Sequence, residues 1–454
     1  MPGVLHQPSR RALLLASGVL FAWAYVPKLA RAEGRDPRFL VIVLRGALDG
    51  LAAVAPVGDP DWLKLRGDKA LVLDGASPAL SLDSFFALNP AMPNLHRLYQ
   101  AGQAVVVHAA ATPYRERSHF DGQDVLESGF GKPGPVDSGW LNRALTALEP
   151  AGRARAGRAF AVGPLMPLVV RGLAPVLTWT PPRLPPVSDE TTMRLLDLYR
   201  HTDATLARAL EERMALAAIA RAGGVDMTPN AQPPAGGGPP GGAAQVRAYF
   251  AESAGAAARF LASQEGPRIG ALAFDGWDTH VDEGAVRGRL AALLGALDGA
   301  LAAVESNMGA AWRDTVVAVI TEFGRTARIN GNDGTDHGTA TVALLAGGGL
   351  KGGRVIADWP GLKDADLQDG RDLKPTIDLR AVLKGLLKDH LRLDDTALAT
   401  RVFPDSAAVK PMASLVAIFA MGKPVAFDAR ALERLTRGFI SMMTIRPFAG
   451  LTAN

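Results

Sequence analysis

The stretch from Thr321 to Gly338, TEFGRTARINGNDGTDHG, places Glu322, Arg325, Asp336 and His337 in a glycine-rich segment directly after the apolar run Thr315–Ile320. Ionisable residues at the exit of a buried strand are where α/β enzymes build their sites. Three other apolar runs end in the same way. Phe39–Leu44 leads into Arg45-Gly46-Ala47-Leu48-Asp49-Gly50, Ala104–His108 leads on to Arg115–Asp121 (RERSHFD), and Ile269–Phe274 leads into Asp275-Gly276-Trp277-Asp278-Thr279-His280. In a parallel sheet these four exits share one edge, and residues distant in sequence converge there. The chain has no cysteine, so a metal must be held by His, Asp, Glu, Ser or Thr. Carboxylates with neutral imidazoles suit a divalent ion such as Zn, Mn, Mg or Ca. Two clusters of such ligands allow one ion or two, and a two-ion site serves displacement at phosphorus or sulfur.

Each residue also has a structural reading. Asp49 before Gly50 is a ligand or a turn residue. Asp278 and His280 reach one ion from a loop, or Asp278 caps the following helix. Glu322 at a strand tip needs a metal or Arg325 as partner, because a lone buried carboxylate is costly. His337 lies among Gly331, Gly334 and Gly338, which let backbone approach a ligand. Ser118 is a nucleophile at a helix N-terminus or simply the N-cap of that helix. Arg117 and Arg325 have the fork geometry to hold a phosphate or sulfate. His96, His108, His201 and His390 lack such company and read as structural.

The elements that must position these residues follow from the same pattern. Short continuous apolar runs, with Thr341–Ala346 as a fifth, suit strands buried on both faces. Alanine- and leucine-rich segments separate them, and Gly284–Asn307 shows helical spacing. The chain therefore reads as a doubly wound α/β fold with a mostly parallel sheet flanked by helices. The 454 residues, 48% apolar and 21% charged, are globular in composition. Residues 33–454 are expected to form a single domain, with Pro229–Ala244 (PNAQPPAGGGPPGGAA) as a flexible surface insertion.

Residues 1–32 differ from the rest. Ser9-Arg10-Arg11, the apolar run Ala12–Val26 and Ala30-Arg31-Ala32 resemble a twin-arginine export signal. The run is short for a membrane span. This predicts passage through the twin-arginine translocase to the periplasm or beyond, with no integral membrane span. The segment holds Arg10, Arg11, Lys28 and Arg31 and no acid, so the formal +4 of the whole chain minus these four leaves the remainder near zero. That balance argues against a nucleic-acid partner.

The segments LRGALDGL, RSHFDGQDVLESG, GWLNR, FDGWDTH, TEFGRT, GTDHG and LAGGGLKGGRV resemble the family of exported proteins known as domain of unknown function 1501, from about Phe39 to Pro404. That family looks like a branch of the alkaline phosphatase–sulfatase superfamily. The resemblance implies an alkaline phosphatase-like fold with a metal held by Asp49, Asp278, His280, Glu322 and His337. It places Ser118 where the superfamily carries its nucleophile, with Arg117 or Arg325 steadying the anion. Asp336 is expected to orient His337. The superfamily's Asp-His pair reads Glu322-Phe323 here, so one histidine ligand is missing. The implied activity is hydrolysis or transfer of a phosphate or sulfate ester on a small molecule or glycan. The alternative is an inactive cell-envelope binding or assembly protein retaining the fold. A nucleotide-dependent oxidoreductase is disfavoured, because no G-x-G-x-x-G turn follows Leu44.

Overall fold

The computed structural model describes residues 35–148, 159–162, 166–179, 189–211, 214, 242–264 and 266–417. The twin-arginine segment, residues 229–241 of the proline/glycine stretch, and residues 418–454 of the expected domain lie outside these. Residues 243 and 244, assigned to the insertion from sequence, already open a helix. Asp36–Ala417 form one compact unit.

A nine-stranded sheet runs through that unit. Its strands are β1 (Arg38–Arg45), β2 (Ala104–Ala111), β3 (Ala159–Val162), β4 (Val176–Trp179), β5 (Ile269–Asp275), β6 (Thr315–Thr321), β7 (Thr341–Ala346), β8 (Arg354–Ile356) and β9 (Ile377–Asp378). The spatial order is β8-β2-β7-β6-β1-β5-β3-β4, with β9 also pairing β2. β1 lies parallel between β5 and β6, and β3 pairs parallel with both β4 and β5. β7 is antiparallel to both β2 and β6. The sheet is thus mixed and mostly parallel. All six residues of β7 are buried, which explains why its sequence matches the parallel strands. An unbroken apolar run reports burial on both faces, not direction. Because β7 reverses between β6 and β2, strands β1, β2, β5 and β6 all point the same way and deliver their C-terminal exits to one edge.

Alternation along β1 divides the core in two. Leu40, Ile42 and Leu44 pack in one cluster with α1 (Pro93–Gln100), α5 (Ala243–Ala262) and α6 (Arg289–Met308). Phe39, Val41 and Val43 pack in another with α3 (Trp140–Leu148) and α7 (Leu379–Leu391). Two more helices are α2 (His119–Ser128) and α4 (Asp189–Thr202). Arg289–Asp314 is long and apolar enough to cross a membrane by length and composition. Its Leu290, Leu294, Leu297 and Leu301 are fully buried in the first cluster, so it serves as a core helix.

Candidate metal centre

The exits of β2, β5 and β6 supply one constellation. From the β2 exit comes His119, the first residue of α2. From the β5 exit come Asp278 and His280, and from the loop between β6 and β7 comes His337. Ligand atoms of His119, Asp278 and His337 all lie within 4.8 Å of one another, a group that could hold a metal ion. His280 joins it: its Nε2 is 3.0 Å from His337 Nε2 and 3.1 Å from Asp278 Oδ1. His119 Nε2 stands 3.5 Å from Asp278 Oδ2, and His337 Nε2 stands 3.5 Å from Asp278 Oδ1.

The three rings are aimed from behind. His119 Nδ1 donates to Glu322 Oε1 at 2.9 Å. His280 Nδ1 donates to Asp336 Oδ1 at 3.1 Å, and His337 Nδ1 donates to the Arg117 carbonyl at 2.8 Å. Ionised carboxylates and carbonyls only accept, so the proton sits on Nδ1 in each ring and Nε2 faces the centre. This is the arrangement that orients metal-ligating histidines. Neutral rings so fixed would oppose Nε2 lone pairs to one another and to Asp278, which is unfavourable unless a cation lies between them. Among the described residues, His119 Nε2 is in fact buried without a hydrogen-bond partner. Three imidazole nitrogens and one carboxylate also form a donor set that suits zinc. On both grounds the residues fit a divalent ion.

The His119 ring is pushed up to about 9, first by Asp278 and then by Glu322. For Asp278, burial acts upward but is outweighed by the neighbouring His119 and His337 rings and the Arg325 guanidinium, which hold it well below the usual carboxylate range.

Several sequence-predicted residues have other partners here. Glu322, expected as a ligand, is fully buried. Its Oε1 accepts from the Gly46 amide, His119 Nδ1 and Gln123 Nε2, and its Oε2 accepts from Thr321 Oγ1. It therefore orients His119. The Gly46 contact requires glycine: φ is +120°, and a Cβ would fall 2.5 Å from the Asp278 nitrogen. Asp49 lies apart from the cluster. It caps the short helix Gly50–Ala53 through Leu51 N and Ala52 N and pairs with buried Arg66 at 2.6 and 3.0 Å. The local turn reading of Asp49-Gly50 is realised as this helix cap, and Arg66 stands where the ligand reading expected an ion. Arg325 is 1% exposed and reaches Asp278 Oδ1 at 2.6 Å and Thr335, so no edge is left for a substrate. Arg117 spends Nε and Nη2 on Asp372 at 2.8 and 2.7 Å. Its φ of +63° turns its carbonyl toward His337. Ser118 precedes α2 without capping it through its side chain. Asp336 orients His280 rather than His337.

Sequence reading passed over His119, although it adjoins Ser118 in the same RSHFD segment. It supplies the imidazole that Glu322-Phe323 lacks. Phe323 itself stacks on the His119 ring, with centroids 5.0 Å apart and planes at 26°, and forms the apolar wall behind it.

A second missed residue is Glu283, 2% exposed, which accepts from Thr279 Oγ1 at 2.8 Å. Its Oε2 has no hydrogen-bond partner. Burial, then the nearby Asp49 charge, push it up from 4.5 to about 8. The folded protein therefore keeps a proton that the unfolded chain releases near 4.5. Stability contributed by this group is complete below that value and is lost as pH rises toward 8. Urea denaturation at pH 5 and pH 8 should show wild type losing stability over this interval by more than Glu283→Gln does. Equal losses in the two proteins would contradict the assignment.

Comparison with known proteins adds the following. No curated protein matches the sequence. Among solved structures, the chain is similar to Ps i-CgsB crystallised with k-i-k-neocarrahexaose, at 12% identity over 83% of this chain and 77% of that one, with a TM-score of 0.38. It is similar to the PsFucS1 sulfatase from Pseudoalteromonas sp., at 14% identity over 74% and 67%, with a TM-score of 0.34. It is also similar to a protein in the alkaline phosphatase superfamily from Vibrio parahaemolyticus, at 13% identity over 69% and 61%, with a TM-score of 0.30. At the level of sequence, the model of the family described as "Protein of unknown function (DUF1501)" matches residues 99–403, more than half of the chain, and the protein belongs to that family.

Proposed function

We propose that this protein is a metal-dependent hydrolase or transferase acting on a phosphate or sulfate ester, exported through the twin-arginine route. One observation carries the reading: ligand atoms of His119, Asp278 and His337 gather within 4.8 Å of one another, His280 Nε2 adjoins His337 and Asp278, and each Nδ1 is held from behind. His119, Asp278, His280 and His337 would hold one divalent ion. Asp49, expected as a ligand, is instead paired with Arg66. A divalent ion held here would polarise an ester oxygen and favour a deprotonated nucleophile.

The chain's own residues then have distinct tasks. Glu322, Asp336 and the Arg117 carbonyl fix ring orientation. Arg325 holds Asp278 from the side and keeps its carboxylate in place. Ser118 lies between Arg117, whose carbonyl holds His337, and His119, which places it at the rim of the cluster. In the proposed reaction its oxygen bonds to phosphorus or sulfur as the ester oxygen leaves. The hydroxyl proton ends on the departing alcohol, and water releases the transferred group.

Metal analysis of the purified mature protein, with a panel of aryl phosphate and sulfate esters, tests this. The expected result is about one divalent ion per chain, absent in His337→Ala, and turnover that Ser118→Ala removes. Folded protein that never takes up metal would defeat the reading. Stoichiometric metal without turnover would favour the second reading, a cell-envelope binding or assembly protein that keeps the fold. That reading is motivated by Arg117 and Arg325 both being consumed by carboxylates.

A further inference from the structure

With Arg117 and Arg325 engaged, other cations must meet a substrate's negative charge. Beside the cluster lies a cavity of about 220 Å³ bounded by Thr326, Arg328, Ile329, Asn330, Asp336 and Arg371. Drug-sized ligands take pockets of roughly 300–1,000 Å³, so this volume suits one group of a larger molecule. Its walls are tied to the candidate ligands. Asp336 accepts from His280, and Arg371 Nη2 donates to the His337 carbonyl at 2.6 Å.

The Arg328 Nη1 atom is buried without a hydrogen-bond partner among the described residues. A buried guanidinium nitrogen left unmatched is costly and calls for an acceptor. Arg328 Nη2 pairs with Asp364, which is 73% exposed, and a pair so open to water offsets little of the charge. Arg371 Nε is 3.6 Å from Asp372 Oδ1, while the other oxygen of Asp372 serves Arg117. The one carboxylate in the wall, Asp336, is already hydrogen-bonded by His280 and Asn330. The lining itself thus holds two guanidinium groups and one engaged carboxylate, with exposed Asp364 and the shared Asp372 as their outside partners, and the unmatched Arg328 Nη1 favours an oxyanion acceptor.

We propose that this cavity binds a second sulfate or phosphate group of the substrate, one that does not react, so that polyanionic esters are preferred over singly charged ones. Its assignment to the substrate rests on the esterase reading above; the binding of an oxyanion does not.

The test has two arms. In the first, inorganic sulfate and phosphate are titrated calorimetrically into wild type, Arg328→Gln and Arg328→Lys, each checked for fold by circular dichroism. Any binding at the metal cluster is common to all three. We expect Arg328→Gln to weaken binding at least about tenfold and Arg328→Lys to restore part of it. Equal binding in wild type and Arg328→Gln, or none in either, overturns the cavity as an oxyanion site. In the second arm, esters carrying one or two anionic groups are compared kinetically. Arg328→Gln should raise KM for the doubly anionic ester with kcat kept, and leave the singly anionic one unchanged. An unchanged KM for both, with inorganic binding lost, overturns the substrate assignment. Absence of any turnover refutes the esterase reading and with it the substrate assignment, while the first arm still decides oxyanion binding.

Discussion

His119→Ala is expected to yield folded protein that carries no divalent ion and turns over no phosphate or sulfate ester. His119 contributes one of three imidazoles, and its Nε2 is buried, without a hydrogen-bond partner among the described residues and 3.5 Å from Asp278 Oδ2. Glu322→Gln is expected to differ in kind. Glutamine keeps an oxygen acceptor but loses the charge that fixes the His119 tautomer. Changes behind a metal-binding histidine typically cost about 10–100-fold in affinity, so Glu322→Gln should still take up the ion when it is supplied in excess. Chelator competition on wild type and both variants, with metal content measured alongside, separates the two roles. Were Glu322 itself a ligand, its substitution would empty the site as fully as that of His119. Retention of one ion per chain by His119→Ala would remove His119 from the centre altogether.

Arg66→Ala should cause the largest loss of stability. The guanidinium is 3% exposed and Asp49 is 1% exposed. Arg66 makes two hydrogen bonds to that carboxylate and two more to the carbonyls of Ala327 and Thr326. Alanine leaves Asp49 charged, buried and close to Glu283, with only two backbone amides to stabilise it. Breaking a buried pair from one side costs about 3–5 kcal/mol, because the surviving charge has no way back to water. Such a loss is a large share of a typical folding free energy. Urea denaturation at pH 7 measures it, and a cost below about 1 kcal/mol would show that the pair is solvated or rearranges. Metal content per folded chain should stay unchanged in Arg66→Ala, since Asp49 stands apart from the cluster.

Much of this molecule was legible in its residues. FLVIVL, IGALAF, TVVAVI and the run beginning AVVVH are strands because a continuous apolar segment of that length can be buried on both faces only in a covered sheet. Their polar exits marked the edge where Asp278, His280 and His337 meet. The direction of β7 was not legible, because antiparallel and parallel central strands bury the same residues. Nor were the partners of Glu322, Asp49, Arg117 and Arg325. Each has the right chemistry for a ligand or an anion clamp, and each is spent on a neighbour 17 or more positions away. Only the folded geometry could show this, since the competing partners are equal in type and differ only in distance.

By itself, then, the amino-acid sequence determined the family, the layered α/β architecture and the edge that carries ionisable chemistry. Local periodicity and composition suffice for those. Tertiary structure alone decided that His119 comes together with Asp278 and His337, that Glu322 holds its ring, and that Arg66 pairs with Asp49. The physical reason is that a carboxylate or imidazole takes its role from the nearest complementary group. In this fold that group comes from another strand exit or a distant loop, brought within hydrogen-bond reach by the parallel run of β1, β2, β5 and β6.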